Sequence, residues 1–239
     1  MATMTLDDLV TQLRAAYGDL LSGVVLYGSA ASTEHIPRKS DYNVLVLLDR
    51  VEPVTLASSS SVARAWHEAG NPPPMTMTTA EWRRSSDVFP MEYADIIDRH
   101  RVLHGSVPLD GVRVSHDHLR LQLEQQVLGK LLQLRQGALL AGPDGKRQLE
   151  LITASLSTMM VLFRSVLRLH RQQPESDNVL LAQHVASLAG LDATPFVRAI
   201  RHVRDESKLP ASEAGQVLSG YLIGIERLNA HLDGYVSTS

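Results

Sequence analysis

Four residues of the N-terminal half have side chains and spacing suited to binding a phosphate and a metal ion. Gly28 and Ser29 follow one apolar run of strand length, and Asp41 and Asn43 begin another. Glycine lets a phosphate approach the main chain, and serine adds a hydroxyl and an amide N–H. Asp41 is a hard oxygen ligand of the kind that binds Mg²⁺, and the carbonyl of Asn43 is a neutral one. These residues predict a site for a metal-bound phosphate.

The elements around these residues would bring them together. Successive side chains of a strand point to opposite faces, so Asp41 and Asn43 share one face. A helix starting at Ala30 would direct its positive end at the same place. Lys39 could contact a triphosphate, although a solvated loop charge explains it equally well. Taken alone, Gly28 and Ser29 also fit a simple strand-to-helix turn, and Asp41 fits a cap at the start of a strand.

The length and amino-acid composition exclude several classes of protein. The chain has 239 residues, 44% of them hydrophobic, which is enough for one large domain or two modest ones with packed cores. It has a net charge of −3 and no cysteine, which gives no broad basic surface for nucleic acid and excludes disulfides, thiolate metal sites and a cysteine nucleophile. The N-terminus is acidic where a signal peptide would be basic, and no apolar run approaches membrane length. We expect a cytoplasmic protein that does not bind a membrane.

The first half of the chain alternates helix and strand patterns. Thr5 and Asp8 form a capping-box pattern at the start of the first helix. Later helices are predicted over 62–69 and 79–82, and strands over 24–27, 42–48, 75–78, 91–97 and 101–104. The strand 42–48 is apolar on both faces, which predicts a central place in the sheet.

The second half has only helical patterns, and its caps are clear. Asp177 is a typical N-cap, Gly190 a typical C-cap, and Thr194 with Pro195 a typical helix start. Helices are predicted over 117–140, 147–170, 178–189, 195–206 and 213–235. The helix 147–170 is apolar nearly all round, which indicates burial in a bundle. We place the domain boundary between residues 112 and 113, giving domains 1–112 and 113–239.

The spacing of the polar residues resembles the signature of the polymerase-beta-like nucleotidyltransferase superfamily, in particular its aminoglycoside and kanamycin nucleotidyltransferase-like branch. The matching segments are Tyr27-Gly28-Ser29 and Asp41-Tyr42-Asn43-Val44, separated by a spacer of about the family length. The segment 89–97, with Asp95, resembles the later strand that carries a third carboxylate. The resemblance implies an α/β nucleotidyltransferase domain with a mixed sheet, followed by an all-α helical bundle.

The resemblance also implies a reaction. A nucleotidyl group would pass from a Mg²⁺-bound nucleoside triphosphate, ATP or another, to a hydroxyl acceptor. Asp41, Asn43 and Asp95 would bind the metal, while Gly28 and Ser29 would hold the phosphates. Asp95 has another explanation, a buried salt bridge to an arginine.

Relatives of this branch use a glutamate of the helical domain as the base, and Glu124 is the candidate here. Its simplest explanation is a surface pair with Arg120, one helical turn away. The acceptor is expected to be a small molecule lying against the helical domain, because the net charge of −3 suits a nucleic acid poorly. A homodimer is compatible with the sequence.

Asn43 departs from the family pattern, which has a carboxylate at this position. An amide brings no charge and cannot bind a metal bidentately, so it weakens the case for turnover. The alternative is a catalytically silent nucleotide-binding or interaction module, such as an antitoxin-like or sensing protein. A weaker alternative is an RNase of the HEPN class, since Arg164 and His170 have a similar spacing; an arginine stripe at a helix C-terminus explains them better.

Overall fold

The computed structural model describes residues 4–31 and 42–235. The chain folds into two compact units, Met1–Val114 and Ser115–Ser239. Within the described residues, the first unit contains a four-stranded sheet with five α-helices, and the second contains five α-helices.

Most elements of the first unit lie near the positions that the sequence patterns predict. Its strands are β1 (Leu21–Tyr27), β2 (Asn43–Leu48), β3 (Met75–Thr78) and β4 (His100–Gly105). Its helices are α1 (Leu6–Tyr17), α2 (Pro53–Ser58), α3 (Ser60–Glu68), α4 (Thr79–Arg84) and α5 (Pro90–Asp98). Three elements differ: β1 begins at Leu21 rather than at residue 24, α2 lies where no helix was predicted, and α5 replaces the strand predicted over 91–97. The predicted capping box of α1 is present, with Thr5 and Asp8 each accepting a hydrogen bond from the other's backbone N–H.

The sheet is mixed, with the order β3-β2-β1-β4. β1 is antiparallel to both β2 and β4, and β2 is parallel to β3. The central pair is buried on both faces, as the unbroken apolar run of β2 predicts.

Two apolar clusters cover the two faces of this central pair. Val24, Leu26, Val46 and Leu48 pack on a cluster that includes residues of α1 and α3. The alternate residues Val25, Leu45 and Leu47 pack with Trp82 of α4 and Tyr93 and Ile96 of α5. The period of two along β1 and β2 therefore places α5 on the same side as the side chains of Val25 and Leu45.

Gly23 lies inside β1, whose start at Leu21 precedes the predicted one, and it pairs with Gly105 of β4. A Cβ atom on Gly23 would lie 2.3 Å from the backbone oxygen of Ser106. Because that oxygen belongs to the main chain, a side-chain rotation could not relieve the contact. Glycine is required here so that β4 can pair closely with β1.

The second unit is a bundle of α6 (His116–Ala141), α7 (Gly145–Leu169), α8 (Asn178–Ala189), α9 (Thr194–Val203) and α10 (Ala211–Asp233). Asp177 caps α8 by accepting from the N–H groups of Val179 and Leu180, and Gly190 ends it in the left-handed conformation. Both caps confirm the sequence prediction. At α9 the cap differs, because Ala193 is the N-cap and Thr194 the first helical residue.

α7 is the buried helix that the sequence predicted, and it corrects one expectation. Its 25 residues are long and apolar enough to cross a membrane by length and composition. The expectation that no apolar run approaches membrane length is therefore wrong. However, 56% of the apolar 18-residue stretch of this helix is buried inside the structure. Because its apolar side chains pack within the bundle, α7 has the surroundings of a core helix.

Gly23→Ala is expected to lower the free energy of unfolding by about 1–3 kcal/mol, because the added methyl group meets a backbone oxygen that cannot move aside. Urea denaturation would measure the loss. Gly129→Ala is the matched control, since a Cβ at this position of α6 meets nothing within 4 Å. It should raise stability by up to about 1 kcal/mol through helix propensity. Equal effects of the two substitutions would contradict the role given to Gly23.

Candidate functional site

The candidate site lies at the end of β1, where the strand turns into a 3₁₀ turn, Gly28–Ala31. Gly28 has φ of +77°, a region that side-chain-bearing residues rarely adopt. The turn is a single four-residue 3₁₀ turn rather than the start of an α-helix within the described residues, so the helix predicted from Ala30 is not observed there. Asp41 and Lys39 lie outside the described residues, as does the side chain of Ser29.

Side chains from two other elements approach Gly28. A Cβ atom placed on Gly28 would lie 3.2 Å from Nδ2 of Asn43 and 3.6 Å from Oδ2 of Asp95. Asn43 comes from β2, where it pairs with Tyr27, and Asp95 comes from α5. Three of the residues predicted from the sequence are thus brought together.

Asp95 reaches this place from a helix, and the predicted strand over 91–97 is wrong. Pro90 occupies the first turn of α5, where its fixed φ suits a helix and its missing N–H costs nothing. The buried residues are Pro90, Met91, Tyr93, Ala94 and Ile96, so the helix packs along one broad face. The hydroxyl of Tyr93 donates to the carbonyl of Trp82 at 2.6 Å, and the two rings stack at 4.2 Å. This tertiary packing outweighs the β propensity of the tyrosine and the two isoleucines.

The helix also reveals a second carboxylate that the sequence analysis missed. In a strand, Glu92 and Asp95 would point to opposite faces, but three residues apart in a helix they are neighbours. Burial raises the pKa of Tyr27 to about 12, and the charges of Glu92 and Asp95 act in the same direction. The spacing of three residues on α5 therefore places Glu92 beside Asp95. A helical interpretation of 90–98 would have found Glu92.

Asp95 is bound to an arginine, as one of its two sequence explanations proposed. Nη2 of Arg99 lies 2.6 Å from Oδ1 of Asp95, and the two side chains are 17% and 13% exposed. Arg99 is the C-cap of α5, where the negative end of the helix favours a cation. The two oxygens of Asp95 thus have different surroundings, because Oδ1 contacts a guanidinium and Oδ2 faces Gly28.

His100 is another residue that sequence analysis missed. It is the β4 partner of Tyr27, so His100, Tyr27 and Asn43 lie side by side across three strands. Nδ1 of His100 is buried without a hydrogen-bond partner among the described residues. No local sequence signal identifies this histidine, because its position depends on the register of β4 against β1.

The Mg²⁺ that the resemblance implies does not fit the residues that the structure describes. In residues 4–31 and 42–235, no three His, Cys, Asp or Glu side chains form a group that could hold a metal ion. Asp95 is paired with Arg99, and Asn43 supplies an uncharged amide. Asp41, the strongest predicted ligand, lies outside the described residues.

Glu124 lies in the helical unit, on α6. Its carboxylate accepts from Arg120 at 3.0 Å, which agrees with the surface pair expected from the sequence. Both side chains are roughly one-quarter to one-third exposed, so the pair contributes little to stability. A role for Glu124 as a base remains a prediction.

The residues of the RNase alternative also lie in the helical unit. Arg164 is buried in α7, with 4% of its surface exposed. Nε2 of His170 lies 2.9 Å from Nε2 of His231 on α10, so one imidazole donates and the other accepts. The hydroxyl of Tyr235 donates to the carbonyl of Leu169 beside this pair. His170 thus has a structural partner, and RNase activity remains a prediction.

The mixed sheet with Gly28 after one of its two central strands, followed by a helical bundle, is the fold class that the sequence predicted. No family model matches the chain. No curated protein matches it either. Among solved structures, the chain resembles spectinomycin adenyltransferase AAD(9) from Enterococcus faecialis, crystallised with ATP and spectinomycin. The TM-score is 0.62 with 12% sequence identity, covering 96% of this chain and 100% of that chain. The likeness confirms the predicted fold.

Arg99→Ala is expected to lower the free energy of unfolding by about 3 kcal/mol, because it leaves the Asp95 carboxylate buried without its guanidinium. Urea denaturation would measure this. The double variant Asp95→Asn/Arg99→Ala should recover much of the loss, since the buried carboxylate charge is gone as well. Arg101→Ala is the control, an exposed arginine on β4 expected to change stability by less than about 0.5 kcal/mol. A double variant less stable than Arg99→Ala would contradict the ion-pair explanation.

The His170–His231 pair predicts a loss of stability in mild acid. Burial lowers the pKa of both imidazoles below the usual 6.5, and the charge of His231 lowers that of His170 further. Because the unfolded chain then binds protons more readily, the contribution is complete above the unfolded pKa and is lost as pH falls through the folded values. Urea denaturation at pH values on both sides of 6.5 should detect this slope. The double variant His170→Gln/His231→Gln should reduce it, and an unchanged slope would contradict the assignment.

Proposed function

We propose that this protein binds a nucleoside triphosphate, ATP or another, and transfers its nucleotidyl group to a hydroxyl of a small molecule. The observation that carries the proposal is the convergence of Gly28, Asn43 and Asp95 at the end of the central strand of a nucleotidyltransferase fold. The similar adenyltransferase was crystallised with a nucleotide and a small-molecule acceptor, spectinomycin. That likeness supports the same two classes of ligand here.

In this proposal the loop after β1 receives the phosphates. Gly28 lets them approach the main chain, and Ser29 and Lys39 contribute donors. Asp41 is the expected ligand of Mg²⁺, with Asn43 assisting. Because the described residues do not fit a resident metal, no step of the reaction is assigned to one.

A small-molecule acceptor agrees with the charge of the protein. The net charge of −3 provides little attraction for a nucleic acid, whose binding depends on neutralising phosphates. Glu124 is the candidate base for the acceptor hydroxyl, and Arg120 donates a hydrogen bond to its carboxylate at 3.0 Å. Cytoplasmic localisation and a homodimer remain proposals.

A catalytically silent nucleotide-binding module is the second candidate, and two observations favour it. Asn43 places an amide where the family pattern has a carboxylate, so one negative charge is absent. The Asp95 carboxylate, the third expected metal ligand, is paired with Arg99. Both features reduce the charge available to hold two divalent ions, which in such sites neutralise the developing charge of phosphoryl transfer.

Turnover separates the two candidates. The protein would be incubated with ATP, Mg²⁺ and a panel of aminoglycosides, aminocyclitols and other polyhydroxylated small molecules, and mass spectrometry would detect an acceptor that gains a nucleotidyl group. Transfer supports the enzyme. Nucleotide binding by calorimetry without transfer supports the silent module, and no binding with or without Mg²⁺ contradicts both.

Asn43→Asp tests the missing charge directly. In a silent module it should raise transfer from none to a measurable rate, because the carboxylate is restored beside Gly28 and Asp95. In an active enzyme it should change an existing rate. Gln133→Glu is the control, because it adds the same charge on an exposed position of α6 and should leave transfer unchanged. If both substitutions have the same effect, the position of the charge is not the cause.

A further inference from the structure

We propose that the outer face of α6 is a dimerisation surface, which binds α6 of a second copy of this chain in the antiparallel direction. Four exposed leucines, named here the leucine stripe, define the surface: Leu121, Leu128, Leu132 and Leu139. Their exposed fractions are 64%, 43%, 48% and 83% in that order. A continuous row of large apolar side chains in water is rare on a monomer and marks an interaction surface.

The leucine stripe lies on one side of α6. With 3.6 residues per turn, its four members fall within about 40° of one another around the helix axis. The buried residues of α6, among them Leu119, Leu123 and Leu131, lie on another side and pack in the bundle. α6 therefore has two apolar faces, and the bundle covers only one of them. The second face leaves water only if another molecule covers it.

The spacing of the leucine stripe favours a second copy as that molecule. Successive members are separated by seven, four and seven residues, so the stripe is symmetric about residue 130. A two-fold axis at this point would place Leu121 opposite the partner's Leu139, and Leu128 opposite the partner's Leu132. Intervals of seven and four residues are also those of the apolar seam of a coiled coil. The stripe is therefore complementary to itself.

The charges beside the leucine stripe are complementary in the same arrangement. Glu124 and Arg135 lie along one edge of the stripe, at nearly equal distances from residue 130. The antiparallel pairing thus places Glu124 opposite the partner's Arg135, and the two-fold axis repeats this pair. Within its own chain Glu124 contacts Arg120 at 3.0 Å, and Arg135 contacts Glu226 at 2.8 Å. In this dimer Glu124 has a role in assembly, which competes with the role of base proposed for it.

The other edge of the leucine stripe carries amides. Gln125 and Gln136 are exposed there, and the same axis places each opposite the other. An amide both donates and accepts hydrogen bonds, so these pairs are compatible. A parallel pairing would keep Glu124 and the partner's Arg135 roughly 16 Å apart along the axis, eleven residues at 1.5 Å each. The charges therefore favour the antiparallel direction.

The size of the leucine stripe sets the expected strength of the dimer. It is about 27 Å long on a helix about 10 Å wide. Such a surface is smaller than the roughly 800 Å² per partner of a standard stable interface. We therefore expect a reversible dimer that forms at micromolar concentrations.

Analytical ultracentrifugation over a range of concentrations tests the inference. The wild-type chain should pass from monomer to dimer, and Leu139→Gln should raise the dissociation constant about tenfold or more, because the symmetry repeats the lost contact. Leu140→Gln is the matched control. Leu140 is 81% exposed on the same helix but lies about 100° around the axis from Leu139, so its substitution should change the constant less than about twofold.

Engineered cysteines test the direction of the pairing, since the chain has none of its own. Leu121→Cys/Leu139→Cys should form disulfide-linked dimers under mild oxidation, because the two positions face each other across the axis. Leu121→Cys alone should not, since its two copies lie about 27 Å apart in the antiparallel dimer. Leu121→Cys/Leu140→Cys is the control for random collision.

Three results would overturn the inference. The first is a chain that stays monomeric at every concentration, and the second is a dimer that Leu139→Gln and Leu140→Gln weaken equally. The third is cross-linking by Leu121→Cys alone, which would indicate a parallel pair. None of these measurements involves a nucleotide, so the inference stands or falls independently of the proposed function.

Discussion

The antiparallel register of β1 and β2 is the constraint on which the first unit depends. It pairs Tyr27 with Asn43 and leaves Gly28 immediately beyond the last pair, so the loop begins beside the amide of Asn43. The register is fixed by burial, because a shift of one residue would turn the apolar set of each strand to the opposite cluster. The apolar core thus determines which polar side chains meet at the end of the strand. The positions of Gly28 and Asn43 at the site therefore follow from the packing of the apolar side chains of β1 and β2.

Much of this unit could be predicted from the sequence, since its signals are local. The runs that became β2 and β3, the capping box at Thr5 and the helical second half all depend on residue patterns within a few positions. The start of β1 could not be predicted in the same way. The sequence pattern places the start of this strand at residue 24, whereas Gly23 lies within β1, pairs with Gly105 of β4 and comes close to Ser106, a residue far along the chain. Contacts of that kind leave no local pattern.

The candidate site was predicted in part, and its error has a physical cause. Tyrosine and isoleucine favour strands, so 91–97 resembled one, whereas the buried stack of Tyr93 on Trp82 and the proline start favour a helix. The carboxylate of Asp95 reaches Gly28 from the helix. The strand prediction for 91–97 did not reveal the neighbours of Asp95, because only a helix places Glu92 beside Asp95 and puts Arg99 one turn away. Asp95 was thus identified correctly as a site residue, but the charged residues around it were not predicted.

The fold and the chemistry of this site are therefore supported by different kinds of observation. A likeness at 12% identity establishes the arrangement of strands and helices, which depends on apolar pattern and tolerates wide change in sequence. Chemistry depends on a few charges at the end of β1, where Asn43 brings no charge and Arg99 pairs with the carboxylate of Asp95. Both features make the described part of the site less negative than a set of three carboxylates would. Because a fold can be kept while the charges of its site change, the likeness of fold does not by itself carry the chemistry of the similar protein to this chain.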